Sequence, residues 1–105
     1  MLENLKDRVL KISERAEKDG LIRRGSGNFS MMDEDTGYIC ITPTGQDRDD
    51  SHIDSILVID IDGNIIENKR GLKPTSETLM HLSVYKNRKD VRAVCHTHAI
   101  YSTIF

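Results

Sequence analysis

The sequence predicts an α/β domain with a mostly antiparallel sheet and helices packed on it. Three observations carry that expectation. Near the N-terminus, Leu2, Leu5, Val9, Ile12 and Ala16 recur at three- and four-residue steps, the period of a helix with one apolar stripe. In the middle of the chain, short β-rich runs are separated by polar turns containing glycine, the pattern of hairpins. A second helical stretch then leads into the alternating run Val91-Arg-Ala-Val-Cys-His96, which reads as a strand. The expected order is helix, hairpin, hairpin, helix, strand, helix.

The elements follow in turn. The first helix is expected over residues 3–19, with Glu3, Lys6, Asp7, Lys11, Glu14 and Lys18 on its polar face and Gly20 placed for the C-cap. Residues 29–32 and 38–42 form two strands joined by the polar loop Asp33-Glu-Asp-Thr-Gly37. Asp50-Ser-His-Ile-Asp54 suits one short helical turn with His52 exposed. The β-branched run over residues 55–61 is a strand, and Asp62-Gly-Asn64 turns it into a return strand at Ile65-Ile66. The second long helix is expected over residues 76–88. Thr75 or Ser76 is its N-cap, and Leu79, Leu82, Val84 and Tyr85 form its apolar side.

Composition bounds the function. The 105 residues are enough for one small domain with one core. Net charge is −2, lysines and arginines are scattered and aromatics are few, so neither a nucleic-acid surface nor a base-stacking platform is expected. No apolar run approaches the roughly 20 residues of a membrane helix, and the N-terminus lacks the apolar core of a secretory signal. Cys40 and Cys95 both lie in apolar strand-like runs and are expected as buried free thiols in a reducing cytoplasm. The chain ends on the apolar, uncapped stretch Ala99-Ile-Tyr-Ser-Thr-Ile-Phe105. That suggests the N-terminal part of something longer, or an end that packs on a partner.

His96 and His98 are separated by one residue, so on a strand they share one face. Two imidazoles on a rigid face suit a divalent metal, although such a pair taken alone more often describes two surface histidines. Three turns share another chemistry: Gly25-Ser-Gly-Asn28, Thr42-Pro-Thr-Gly45 and Pro74-Thr-Ser-Glu77. Each offers small residues, hydroxyls or amides, and backbone N–H groups that can converge on a phosphate. Each is also an ordinary turn when taken by itself. Glu77 sits in the first turn of its helix, where the dipole favours a carboxylate whatever its role. Asp60-x-Asp62-x-Asn64 has its glycine misplaced for a calcium loop and is not taken as one.

Four motifs in order resemble the class II aldolase/adducin family: Gly25-Ser-Gly-Asn-Phe-Ser30, Ile41-Thr-Pro-Thr-Gly45, Lys73-Pro-Thr-Ser-Glu77 and Ala93-Val-Cys-His-Thr-His98. The resemblance implies a three-layer α/β/α fold, of which residues 1–105 are the N-terminal part of a single domain. It implies a cytoplasmic homotetramer and a zinc ion held by Glu77, His96, His98 and a further histidine beyond residue 105. By the same resemblance Gly27, Asn28, Thr44, Gly45, Thr75 and Ser76 bind the substrate phosphate, and Glu77 is the acid/base residue. The implied reaction is lyase cleavage of a phosphorylated ketose, such as L-fuculose 1-phosphate, to dihydroxyacetone phosphate and an aldehyde. The epimerase branch of the family usually carries aspartate at the Glu77 position, so glutamate favours an aldolase. A methylthioribulose-1-phosphate dehydratase and a non-catalytic adducin-like interaction domain are the alternatives. His52 and His81 match no ligand position.

Overall fold

A computed structural model describes residues 1–20, 27–44 and 52–97. Helix α1 spans Glu3–Lys18, strand β1 Asn28–Met32, β2 Ile39–Ile41, β3 Leu57–Ile59, β4 Ile65–Glu67, helix α2 Thr78–Asn87 and β5 Ala93–His96. A 3-10 turn over Ile53–Ser55 precedes β3. The strands form one sheet in the order β4-β3-β2-β1-β5, and every pairing is antiparallel. The last expected helix lies outside the described residues.

The two helices cover opposite faces of the sheet, which gives three layers. On one face, Val9 and Ala16 of α1 pack with Phe29, Met31, Cys40, Ile56 and Val58. On the other, Leu82 and Tyr85 of α2 pack with Ile39, Ile41, Leu57 and Ile59. Alternation along each strand divides its side chains between the two cores. The fold class expected from the sequence is therefore the one observed.

The turns are built as their residues suggest. Gly37 adopts φ +75° at the end of the first hairpin loop, a conformation glycine reaches without Cβ strain. The Asp33 carboxylate accepts from the Thr36 N–H and hydroxyl at 3.0 and 2.7 Å. In the second hairpin the Asp60 carboxylate accepts from the backbone N–H groups of Asp62 and Asn64 and from the Asn64 side chain. His52 is exposed and caps the 3-10 turn by accepting from the Asp54 N–H at 3.1 Å. Gly20, with φ +76°, closes α1 as expected.

Four expectations need correction. Lys6 does not lie on the solvent face of α1; it is fully buried. Its ammonium is bonded to the Glu67 carboxylate of β4, which the N-terminal amine also meets at 3.2 Å. The helix stripe is thus broader than its apolar residues, because a carboxylate on the far strand allows a lysine to be buried. Leu79 is 81% exposed rather than part of the α2 core; α2 meets the sheet through His81, Leu82 and Tyr85 instead. The first residue of α2 is Thr78, so Glu77 holds the N-cap position expected for Thr75 or Ser76. Cys40 is buried, and burial pushes its thiol up to about 12, but Cys95 is exposed. Cys95 faces the α1 side opposite Phe29, where α1 covers β1 and β2 and leaves the edge strand β5 open.

The Lys6–Glu67 pair ties the start of α1 to the edge strand β4. Hydrogen bonding from Lys6 holds the Glu67 carboxyl below its usual range. Its contribution is therefore present above the ordinary glutamate pKa of 4.5 and is lost as pH falls through the lower folded value. Glu67→Ala is expected to destabilise the fold by about 2–4 kcal/mol, because it leaves a buried ammonium short of a partner. Urea unfolding at neutral pH measures this. The replacement Lys6→Met, which removes the buried charge itself, is expected to cost less.

Candidate functional site

The site is assembled around Thr42, the residue after β2. Its N–H donates to the Phe29 carbonyl at 3.0 Å, and its hydroxyl accepts from the Phe29 N–H at 3.1 Å. Its carbonyl accepts from the Thr75 N–H at 3.1 Å. Two residues further on, the Thr44 N–H donates to the Lys73 carbonyl at 2.9 Å, and Pro43 and Pro74 form an antiparallel bridge. The Thr42–Thr44 segment is thus bonded both to Phe29, which follows Asn28 on β1, and to the Lys73–Thr75 entry of α2. Gly27 and Asn28 enter β1 beside the Thr42–Thr44 segment, which is zipped to the Pro74–Thr75 entry of α2.

This zipping uses backbone amides that the sequence suggested were open to a phosphate. The N–H groups of Thr44 and Thr75 are taken by carbonyls, and the Glu77 N–H donates to Thr75 Oγ1 at 3.3 Å. Buried turn amides find partners inside the protein when a neighbouring segment comes close. Thr75 is buried, Thr44 half-buried and Ser76 exposed. Hydroxyl groups, rather than the Thr44 and Thr75 amides, are the polar groups this corner can turn toward a ligand. Gly27 is buried. Gly45 and His98 lie outside the described residues.

Strand β5 pairs with β1 so that His96 lies opposite Asn28. Cross-strand partners share a face, and here it is the α2 face. The Asn28 side chain bridges two imidazoles: Nδ2 meets His96 Nδ1 at 3.2 Å and Oδ1 meets His81 Nε2 at 2.5 Å. His81 Nδ1 reaches Ser30 Oγ at 2.6 Å, and Ser30 Oγ reaches the Tyr85 hydroxyl at 2.8 Å. His81 is fully buried and Asn28 is 4% exposed. Asn28, expected as a phosphate ligand, has its side chain committed to the two histidines. Glu77 lies one helical turn before His81, whose N–H donates to the Glu77 carbonyl at 3.2 Å. The Glu77 carbonyl thus takes the first backbone bonds of α2 and ties Glu77 to the start of the helix that carries His81.

Burial, reinforced by His96, pushes the His81 imidazole down to about 4. It is neutral at physiological pH, with one donor and one acceptor nitrogen. Burial pushes the Tyr85 hydroxyl up to about 12, so it remains protonated. His81 and Tyr85 were not expected from the sequence as parts of the site, and Ser30 and Thr42 were named only within motifs, with no role of their own. The available signals were local: His81 stands four residues after Glu77, and Ser30 two residues after Asn28 on the same strand face.

Among the described residues no three His, Cys, Asp or Glu side chains gather closely enough to hold a metal ion. The donor types nevertheless fit one. An imidazole whose Nδ1 is held by a polar side chain presents its other nitrogen in a fixed direction, as metal-binding histidines do.

A model of the class II aldolase and adducin N-terminal domain matches residues 7–105. The chain belongs to that family. Over all 105 residues this family member is 33% identical to a probable L-ribulose-5-phosphate 4-epimerase of Mycoplasma pneumoniae, covering 43% of that protein. It is 29% identical over 102 residues to a 5-deoxy-D-ribulose 1-phosphate aldolase of Bacillus thuringiensis, covering 97% of this chain and 47% of the relative. A solved structure of an L-fuculose 1-phosphate aldolase superposes with a TM-score of 0.87 at 33% identity, over 96% of this chain and 47% of the other. The chain thus spans less than half the length of these relatives. Among the described residues no helix is long and apolar enough to cross a membrane.

His81 gives the folded chain a defined acid response. Above pH 6.5, the ordinary value for this group, His81 is neutral in both folded and unfolded chains. Between 6.5 and about 4 only the unfolded chain binds the proton. Stability therefore falls as pH falls, by up to about 1.4 kcal/mol per pH unit, and this loss levels off below the folded value. In urea titrations at about pH 7 and about pH 5, His81→Phe is expected to lose less stability on acidification than the parent does.

Proposed function

We propose that this chain carries the phosphate corner and part of the metal centre of a class II aldolase-type lyase acting on a phosphorylated ketose. The observation that supports it most is the convergence just described. Asn28 ties His96 of β5 to His81 of α2, and Thr42 ties the start of β1 to the entry of α2, so hydrogen bonds link residues of four separated motifs. Glu77, His96 and His98 would hold a divalent metal, with zinc the best match to imidazole and carboxylate donors. A further histidine would come from beyond residue 105. When bound, zinc supplies Lewis-acid polarisation of the ketose carbonyl.

This chain's own residues would supply the rest. The hydroxyls of Thr44, Thr75 and Ser76, with Gly27 and Gly45 as close-approach positions, would anchor the phosphate; Asn28 would contribute by holding His96. Anchoring at a distance from the reacting bond converts binding energy into positioning. Glu77 would move the proton at the carbon of the dihydroxyacetone phosphate half. The family member would work in the cytoplasm as a homo-oligomer, a tetramer by the family resemblance.

A second reading, a sugar-phosphate 4-epimerase, draws on the 33% identity to the Mycoplasma protein named for that activity. Glutamate at position 77 favours the aldolase. The two share a phosphorylated ketose as substrate class and differ in product.

The test is zinc per chain by elemental mass spectrometry on protein purified without chelator, with Glu77→Ala and His96→Ala alongside. Near-stoichiometric zinc that drops at least about tenfold in His96→Ala is the expected result. Incubation with L-fuculose 1-phosphate and L-ribulose 5-phosphate then separates cleavage from epimerisation. A metal-free parent would overturn the proposal for this chain.

A further inference from the structure

The chain Tyr85–Ser30–His81–Asn28–His96 has a single consistent hydrogen-bond direction. With Asn28 as observed, its Nδ2–H donates to His96 Nδ1, so a neutral His96 carries its proton on Nε2. Asn28 Oδ1 accepts from the Nε2–H of His81. His81 Nδ1 then accepts from the Ser30 hydroxyl, and Ser30 Oγ accepts from the Tyr85 hydroxyl. Every group has a partner, and no other polarity is compatible with this orientation of the amide.

A metal imposes the opposite polarity. Nδ1 of His96 already faces Asn28, so a cation must come to Nε2, which then cannot keep its proton. The neutral ring carries that proton on Nδ1 instead. An Nδ1–H cannot face an amide NH2, so Asn28 must turn by half a revolution and present Oδ1. Its Nδ2–H then points at His81 Nε2, which must become an acceptor. His81 therefore carries its proton on Nδ1 and donates to Ser30, whose hydroxyl donates to Tyr85. The protons balance: each ring gives one up from Nε2 and gains one at Nδ1.

Resting on the metal site proposed above, we infer that His81 is a positioning residue that acts through Asn28, and that His81 and His96 change tautomer together when His96 takes a metal. Ser30 can take either polarity because a hydroxyl both donates and accepts, and the Tyr85 oxygen can accept from Ser30 where its hydroxyl donated before. An apolar residue in place of His81 would leave one end of the Asn28 amide unpartnered in a buried site, at a cost to whichever orientation the metal requires.

The test is long-range 1H–15N correlation of the histidine rings in the uniformly labelled chain at about pH 8, above the ordinary histidine pKa. Spectra are taken metal-free and during titration with zinc chloride alone. Without metal, both His81 and His96 are expected as the Nε2–H tautomer. With zinc, the His81 pattern should invert together with that of His96, although His81 touches no metal. A second arm needs no metal: the carboxylate of Asn28→Asp only accepts, so it should place a proton on His96 Nδ1 while His81 stays Nε2–H. His81→Phe should weaken zinc binding about tenfold or more, and His81→Gln, whose amide can still turn with Asn28, should recover part of the loss. An unchanged His81 pattern while His96 binds zinc overturns the inference, as does an unprotonated His96 Nδ1 in Asn28→Asp. If the parent takes no zinc, the metal reading fails, and the Asn28→Asp arm alone decides whether the relay sets His96.

Discussion

Thr42 is the constraint from which the site follows. It is buried, and its N–H, hydroxyl and carbonyl hold two other segments of chain. The first two join it to Phe29 at the start of β1, and the third joins it to Thr75 at the entry to α2. Removing any of these bonds would leave a buried polar group short of a partner, which costs more than the bond's net worth. The arrangement thus fixes the distance between the start of β1 and the helix that follows Glu77 and carries His81.

The layered core sets the orientation. Strand alternation sends Val58, Cys40 and Phe29 toward α1, and Ile39, Ile41, Leu57 and Ile59 toward α2. The β1–β5 register puts Asn28 opposite His96 and Ser30 opposite Val94. A shift of one residue would turn His96 to the α1 face and break the relay. The apolar core and the polar site therefore depend on the same register. Polar groups inside such a core must be fully partnered, and the run from Tyr85 to His96 meets that condition. Ser55 Oγ is the one buried side-chain oxygen without a hydrogen-bond partner among the described residues, and it lies on the α1 side, away from this run.

Much of this was legible in the sequence. The period of α1, the β-branched runs and the turn residues at Gly37 and Asp62-Gly-Asn64 are local signals, and local sterics dictate local backbone. Four motifs in order were enough to indicate the family, and the two hairpins and two helices lie where they were expected. The candidate site was legible only as pieces. Glu77 and His96 could be named, but nothing local says that Asn28 ties His96 to a buried His81, or that Thr42 joins the turns.

Sequence alone determined the element types and the chemistry available at each turn, because those depend on residues close along the chain. Tertiary structure decided which polar groups were already taken. The amides of Thr44 and Thr75 looked open until carbonyls of Lys73 and Thr42 met them. Lys6 looked solvated until Glu67 arrived from β4, and Leu79 looked buried until α2 turned a different side to the sheet. Each depends on a partner more than 25 residues away or on the rotation of a helix about its axis, for which a periodic pattern sets only a broad preference.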